Sequence, residues 1–291
     1  KNQLLKSLFM AKSTLLIHGG LGNQLFQFFF ALNKLNGNTK LLRIIIAKKK
    51  SLHQLDIFDV LKKKENEKNS NFRINSFFYK LISKINFIPQ LIIKKLNILT
   101  DNNSFSQLKS KKNPFIIYGY FQDLRLLNTE IISDFIIEDL LAKKYLNSKE
   151  RTLGIHIRRG DYLKKDHIST HGLISIKYIF ERFTKIFHEF KIVKIYSDSD
   201  IKDEFLKYSK KYLGEDYLKK TSLTFSFDNK MADKDVFLDI GKNEVLICTN
   251  STFSYWAGFI SLSVKKIYLP NQWYSSESIN KGLINSKVTL Y

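Results

Sequence analysis

Two adjacent arginines, Arg158 and Arg159, stand in the segment HIRRGDY, directly after a short apolar run that is typical of a strand. Guanidinium groups form forked, charge-assisted hydrogen bonds to phosphate. Asp161 follows two residues later, where its carboxylate can hold one of the arginines in position. The segment therefore predicts a phosphate site, and a solvated basic turn is the alternative interpretation of the same residues.

Hydroxyl groups mark a second candidate segment, TNSTFSYW, in which Ser251 and Thr252 stand between an apolar run and a helical pattern. The first turn of a helix has unpaired N–H groups that attract anions, and neighbouring hydroxyls add further donors. The segment predicts a second phosphate contact, whereas an ordinary helix N-cap would use the same residue types.

A third candidate is the segment IHGGLGNQ, in which Gly19, Gly20 and Gly22 separate a strand from an aromatic-rich helix. Glycine lets the backbone approach a ligand closely. The surrounding window is too polar to span a membrane, and Leu25 stands where a dinucleotide fingerprint has its third glycine. The segment predicts a loop that closes over an anion or a sugar, with a simple connecting turn as the alternative.

An Asp-x-Asp pair, Asp198 and Asp200, follows the predicted strand Ile192–Tyr196. Metal-dependent glycosyltransferases use such a pair to hold a divalent cation under a nucleotide pyrophosphate. A polar strand end, or a cap on the helix that starts at Ile201, also explains the pair. We expect no metal, because two arginines and a helix terminus can neutralise a diphosphate.

Composition limits the class of partner. The chain has 291 residues and a formal net charge of +21, which predicts nucleic acid, an acidic membrane surface or a phosphorylated substrate. No aromatic-studded basic strand or clear helix-turn-helix is found in the sequence, so we expect no nucleic-acid partner. The first residues lack the apolar core of a signal peptide, and Cys248 is the only cysteine, so we expect a cytoplasmic protein without internal disulfides.

Hydrophobic periodicity predicts an α/β protein. The chain opens with a strand at Leu15–His18, a helix from about 23 to 35 and a strand at Leu41–Ile46. After residue 149, short strands alternate with helices, which predicts a mostly parallel, doubly wound sheet. The predicted strands are Leu153–Ile157, Ile192–Tyr196, Leu223–Phe227, Val245–Cys248 and Lys266–Leu269, and the predicted helices are Ile176–Phe190, Ile201–Leu213, Lys234–Lys242 and Thr252–Leu262.

The middle of the chain is less regular. Residues 62–113 are rich in Lys, Asn and Ser, and we interpret them as an insertion of amphipathic basic helices. A strand at Phe115–Tyr118 precedes a helical pattern over residues 123–146, with Asp123 and Ser133 as caps. We predict two α/β domains that face a cleft, residues 1–150 and 151–291, with the candidate segments at the carboxyl ends of strands.

The three candidate segments together resemble a known family. GGLGNQLFQ, HIRRGDY and NSTFSYW, in this order, are similar to the signature segments of the bacterial α-1,2-fucosyltransferases, glycosyltransferase family 11. HQLDIFDV, YGYFQD, YSDSDI and KDVFL also look similar. The resemblance covers nearly the whole chain outside residues 62–113.

This resemblance implies an inverting transfer of L-fucose from GDP-β-L-fucose to a sugar hydroxyl, by two Rossmann-like domains of the GT-B type and without a bound metal or other cofactor. It implies that the second domain binds GDP and that the first presents the acceptor. The expected acceptor is a galactose-containing glycan or lipid-linked oligosaccharide of O-antigen or other surface polysaccharide synthesis. The excess positive charge is then expected to give peripheral contact with an anionic membrane.

The resemblance also implies residue roles. Arg158 faces the β-phosphate as a catalytic residue, Asp161 orients the arginines, and Asp235 accepts from the guanine N1–H and N2–H₂ groups. Asp161 and His18 are the candidates for the general base. The family usually has tryptophan where this chain has Tyr255, and we expect this difference to affect the acceptor pocket. The full predicted donor site is Gly20, Gly22, Asn23, Gln24, His156, Arg158, Arg159, Asp198, Asp235, Asn250, Ser251, Thr252, Phe253 and Ser254.

Overall fold

The structure of the chain is a computed structural model. It describes residues 13–47, 55–62, 71–74, 97–138, 151–163, 172–227, 232–271, 273 and 281–291. The chain divides into two compact units, Lys1–Ile136 and Ile137–Tyr291, and each has its own parallel sheet. The boundary predicted at residue 150 lies outside the described residues.

The first unit is built on a five-stranded parallel sheet with the strand order β3-β2-β1-β5-β4. Helix α1, Leu21–Lys34, follows β1 and is buried along nearly its whole length, with Phe26, Phe29 and Phe30 in the core. The strands are β1 (Ser13–Ile17), β2 (Leu42–Ala47), β3 (Asn71–Ile74), β4 (Ile98–Thr100) and β5 (Ile116–Tyr118), and the other helices are α2 (Ile57–Val60), α3 (Phe105–Ser110) and α4 (Ile132–Phe135).

The second unit has a six-stranded parallel sheet with the order β11-β10-β9-β6-β7-β8. Read from the β8 edge, this is the order 3-2-1-4-5-6 of a Rossmann fold, and it reverses between β6 and β9. The strands are β6 (Thr152–Ile157), β7 (Ile192–Ser197), β8 (Ser222–Phe227), β9 (Val245–Cys248), β10 (Lys266–Leu269) and β11 (Val288–Leu290), and the helices are α5 (Ile176–Phe187), α6 (Lys202–Leu213), α7 (Glu215–Lys220), α8 (Asp233–Ile240) and α9 (Thr252–Ile260).

The predicted α/β class and the two parallel, Rossmann-like sheets are confirmed, and the predicted strands of the second domain agree with β6 to β10 to within one residue at each end. Strand β11 and helix α7 were not predicted. Ile155, Ile195 and Ile247 from three neighbouring strands are fully buried, so this sheet forms the middle layer of the core. In the described part of the chain, no helix is both long enough and apolar enough to cross a bilayer.

The helix predicted over residues 123–146 is wrong over residues 123–138, and residues 139–146 lie outside the described residues. Two single turns, Leu124–Leu126 and Thr129–Ile131, precede the short α4. The Asp123 side chain accepts from the Arg125 N–H as predicted for a cap, and Asn128 does the same for the next turn. Such local bonds offer the backbone an alternative to a continuous helix.

Two further predictions in the middle of the chain need correction. Ser133 lies inside α4 and is not a cap. The insertion predicted over residues 62–113 contributes β3, β4 and α3 where it is described, so its described part is not a pair of basic helices. Residues 63–70 and 75–96 lie outside the described residues.

Candidate functional site

The candidate segments of the second unit follow β6 and β9, the two strands between which the strand order reverses. Open parallel sheets bind ligands at such a switch point, beyond the carboxyl ends of the strands. The Arg158 backbone N–H donates to Thr249 Oγ1 at 2.9 Å, and the Thr249 N–H donates to the His156 carbonyl at 3.0 Å. These bonds fix the two strand ends to each other.

Arg158 is the more accessible of the two arginines. Its Nη1 lies 3.0 Å from Asp198 Oδ2, which comes from the end of β7. About a third of the side chain is exposed, 34%, so the guanidinium is oriented by a carboxylate and remains open to a ligand. The structure therefore places the side chain predicted to bind phosphate at the switch point of the sheet.

Arg159 points into the protein. Its Nη1 donates to the Ile174 carbonyl at 2.9 Å, and its backbone N–H donates to Asp198 Oδ1 at 2.6 Å. Burial lowers the pKa of Arg159, while Glu204 and Asp198 raise it. The side chain thus connects the segment before α5 to the turn after β6, residues 158–163, which we call the arginine turn. Arg159 therefore supports the site from the interior of the protein.

The Asp198 carboxylate binds the Arg158 side chain and the Arg159 backbone N–H, and Gly160 leaves space for this carboxylate. A Cβ atom on Gly160 would lie 2.5 Å from Asp198 Oδ2 and 2.9 Å from its Cγ. Only glycine therefore fits at this point of the arginine turn without displacing the carboxylate. Asp161 lies in the turn Gly160–Leu163, but its side chain is outside the description, so its predicted role stays a prediction.

The second carboxylate of the Asp-x-Asp pair has a different partner. Asp200 Oδ1 accepts from the Lys202 N–H at 3.0 Å at the start of α6, which is the capping arrangement considered above for this residue. Among the described residues, no three His, Cys, Asp or Glu side chains come together as a metal site would require.

His156 lies in β6 beneath the candidate site. Burial, with Arg158 as a second cause, lowers its pKa to about 3, so the ring is neutral at physiological pH. Its Nδ1 has no hydrogen-bond partner in the described part of the chain. The ring lies 6.2 Å from that of Phe253, which packs edge-on against Phe237 of α8. His156 and Phe237 therefore both lie near Phe253, at the start of α9.

Besides Phe253, four predicted donor-site residues stand around the start of α9, and Asn250, Ser251 and Ser254 among them are buried. Asn250 is buried and donates to the Trp273 carbonyl, and Ser254 is fully buried with its hydroxyl directed at the Ser251 carbonyl. Ser251 itself makes no side-chain capping bond to the helix, and Thr252 beside it is half-buried. The first two residues shape the segment, and the latter two offer hydroxyls at the helix start.

Asp235 is exposed in the first turn of α8, and its backbone N–H donates to the Ala232 carbonyl at 2.9 Å. The same helix contributes Phe237 to the contact with Phe253. The Asp235 carboxylate is therefore accessible to a ligand.

The glycine loop of the first unit is held by two glutamines of α1. Gln24 Nε2 donates to the Gly19 carbonyl at 2.8 Å, and its Oε1 accepts from the Ile57 N–H at 2.9 Å. Gln27 binds both backbone groups of His18 at 3.0 and 2.9 Å. Gln24 is 3% exposed and bonded through both ends of its amide, so it fastens the glycine loop to α2, and its predicted contact with the donor stays a prediction.

The glycines and Asn23 stand at the carboxyl end of β1. Gly19 has a φ of +77°, the left-handed region that favours glycine, and Gly20 has open space where a Cβ would stand. Gly22 is buried inside α1, whereas Asn23 Oδ1 accepts from Gln122 Nε2 at 2.9 Å. The open side of the loop is therefore at Gly20.

The comparison with known protein families shows to which family the chain belongs. The model of glycosyl transferase family 11 matches residues 1–287. The chain belongs to glycosyltransferase family 11. The resemblance drawn from the three sequence segments is confirmed.

Three known proteins are similar to this family 11 chain. It is 28% identical to the O-antigen biosynthesis glycosyltransferase WbnK of Escherichia coli over 239 residues, 75% of this chain and 72% of WbnK. Its structure is similar to E. coli ADP-heptose LPS heptosyltransferase II, with TM-score 0.50 and 9% identity over 96% of this chain and 90% of that one. NodZ α-1,6-fucosyltransferase soaked with GDP-fucose matches with TM-score 0.41 and 12% identity over 88% of this chain and 94% of that one. The fold is of the GT-B type.

The residue in which this family 11 chain departs from the family pattern is buried. Tyr255 has no exposed surface, and its hydroxyl donates to the Leu283 carbonyl at 3.1 Å and accepts from Asn285 Nδ2 at 3.3 Å. The Tyr255 side chain is therefore part of the core of its unit, and its expected effect on the acceptor pocket stays a prediction. Tyr255 connects α9 to the segment before β11.

Two residues of the candidate sites, Thr249 and Asp101, were not predicted from the sequence. Thr249 supplies the hydroxyl that fixes the Arg158 backbone, and a threonine after a strand has no distinctive spacing. Asp101 binds the turn after β5, and it stands in the Lys/Asn-rich stretch that we interpreted as helical. The YGYFQD segment was the signal that pointed to this turn.

Proposed function

We propose that this glycosyltransferase transfers L-fucose from GDP-β-L-fucose to the 2-hydroxyl of a galactoside, with inversion at the fucose C1. The observation that carries the proposal is Arg158, an accessible guanidinium at the switch point of the sheet that Asp198 holds at 3.0 Å. Family membership and the family's signature segments support fucose as the transferred sugar.

In the proposed reaction, the bond between the fucose C1 and the β-phosphate oxygen breaks while a bond from the acceptor oxygen to C1 forms. The departing GDP gains negative charge, and the acceptor hydroxyl loses its proton to a base. Arg158 contacts the β-phosphate, so its interaction strengthens as the charge develops. Asp161 and His18 remain the two candidates for the base.

The rest of the donor is assigned by position. Ser251, Thr252 and the N–H groups at the start of α9 bind the pyrophosphate, because two hydroxyl side chains stand at the N-terminus of a helix there, which attracts anions. The exposed carboxylate of Asp235 binds the guanine edge.

We infer the biological role from the role of a relative. WbnK is an O-antigen biosynthesis glycosyltransferase, which supports a surface polysaccharide intermediate as the acceptor. We place the reaction in the cytoplasm, where nucleotide sugars and a lipid-linked oligosaccharide can meet at the inner face of the membrane.

The decisive experiment incubates the protein with GDP-fucose and a panel of β-galactosides, including lactose, and maps the product linkage by NMR. We expect an α-1,2 linkage to galactose. A product with another linkage would correct the acceptor position, and transfer only from a different nucleotide sugar would refute the proposed donor.

The same assay in excess EDTA separates the proposal from the alternative, a nucleotide-sugar transferase with a metal at Asp198 and Asp200. We expect transfer to survive EDTA, because Asp198 is paired with Arg158 and Asp200 accepts from a backbone N–H. Loss of transfer in EDTA with recovery by manganese would favour the metal-dependent enzyme.

The excess positive charge is proposed to attract the protein to an anionic membrane surface. Binding to vesicles that contain phosphatidylglycerol is expected to weaken as salt rises, because charges are screened within about 10 Å at 0.1 M salt. Vesicles of phosphatidylcholine alone are the control, and equal binding to both would contradict the electrostatic attraction.

A further inference from the structure

A tightly restrained turn, residues 118–121, follows β5 in the first unit. Strand β5 lies next to β1, and the strand order of this sheet reverses between them. The turn therefore stands beside the glycine loop that follows β1, at the place where a parallel sheet of this kind binds ligands.

The shape of the turn is fixed by hydrogen bonds to Asp101, by the glycine at position 119 and by the packing of Phe121. Asp101 accepts from the Tyr120 N–H at 2.8 and 3.0 Å and from the Phe121 N–H at 3.2 Å. A Cβ on Gly119 would lie 2.6 Å from Asp101 Oδ1, so the carboxylate needs glycine there. Phe121 has a φ of +50°, and its buried ring stacks on Phe30 with 3.9 Å between the centroids. A non-glycine residue held in the left-handed region points to a functional reason for the turn's shape.

This turn presents an aromatic ring to solvent. Tyr120 is 42% exposed, and its ring centroid lies 4.5 Å from that of His18, which also packs against Tyr118 at 4.7 Å. A Cβ on Gly19 would be 3.5 Å from the Tyr120 ring, so the glycine loop and the ring are in contact. The Tyr120 ring is thus held by contacts with His18 and the glycine loop, and much of its surface remains accessible.

We infer that Tyr120 is a specificity-determining residue of the acceptor site, on whose ring the galactose unit of the acceptor stacks, and that Asp101 is the positioning residue that fixes the ring. The inference rests on the proposed function. β-Galactose has an apolar face made by its C3, C4 and C5 hydrogens, and this face matches an exposed aromatic ring. Binding sites for small ligands commonly combine such a ring with a few fixed polar groups.

The test compares Tyr120→Ala with Tyr120→Phe, using lactose as the acceptor. Removal of the ring is expected to raise the acceptor KM about 10-fold, because a lost aromatic contact corresponds to a factor of this size. The donor KM is expected to change much less than the acceptor KM. Tyr120→Phe keeps the ring and is expected to behave like the wild type.

Phe115→Ala is the matched control, because Phe115 is 51% exposed and precedes β5, at the opposite end of the strand from Tyr120. Thermal melting of all variants verifies that they fold. The inference is overturned if Tyr120→Ala changes the acceptor KM no more than Phe115→Ala does, or if the donor KM rises instead.

A binding measurement separates this inference from the proposed function. Saturation-transfer NMR detects lactose on the protein without any catalytic step. A signal in the wild type that is lost in Tyr120→Ala supports the acceptor site even if no fucose is transferred. An absent signal in the wild type, or one that persists in Tyr120→Ala, contradicts it.

Discussion

Replacement of Arg158 by alanine is expected to lower kcat by a factor of about 10² to 10³, the range for loss of one preorganised transition-state donor. The guanidinium is oriented by Asp198 at 3.0 Å, so little reorganisation is needed when charge develops on the leaving phosphate. Arg158→Lys is expected to recover little activity, because an ammonium group cannot reproduce the planar fork.

Arg159→Ala is the natural comparison, because the neighbouring side chain has a different environment. Arg159 is 5% exposed and binds the Ile174 carbonyl at 2.9 Å. Its removal is expected to lower the free energy of unfolding by about 2 kcal/mol, the scale of a buried hydrogen bond to a charged group. The measurements are kcat, the donor KM and thermal stability for both variants. A stable Arg158→Ala enzyme with nearly normal kcat, or a fully stable Arg159→Ala enzyme that alone loses turnover, would reverse the assigned roles.

Short sequence motifs predicted those site residues that can be recognised from their neighbours in the same segment. Strand ends with Arg158, Ser251 or Asp198 could be located because each follows a short apolar run, and parallel strands place such ends at one edge of the sheet. The sequence could not show that Asp198 holds the arginine turn. That contact depends on the pairing of β6 with β7, two strands that are distant along the chain.

Contacts between distant residues of the first unit could not be predicted from the sequence either. Gln24 was predicted as a donor contact because it stands in the glycine segment, and its bond to the distant Ile57 could not be read from that segment. Asp101 was missed because β4 has only three residues in a Lys/Asn-rich stretch, and its role arises from the pairing of β4 with β5. A three-residue strand has too little periodicity to be recognised from sequence.

Gly160→Ala tests the geometry of the arginine turn most directly. The added Cβ would lie 2.5 Å from Asp198 Oδ2, so the carboxylate must move and its contacts with Arg158 and the Arg159 N–H are lost or lengthened. Such overpacking is expected to lower the free energy of unfolding by about 1–3 kcal/mol. We also expect kcat to fall about 10-fold or more, because Arg158 loses the carboxylate that orients it.

Gly241→Ala is the control in the same unit, since its Cβ would meet its nearest atoms at 3.4 Å and its φ is −66°. We expect its stability to change by no more than about 0.5 kcal/mol. A double-mutant cycle with Asp198→Ala isolates the clash, because the carboxylate in the path of the new Cβ is then absent. Gly160→Ala should be nearly neutral in that background, so the coupling between the two sites should equal the cost of Gly160→Ala alone, about 1–3 kcal/mol. Strictly additive effects would mean that Gly160 is required for a reason other than space for Asp198.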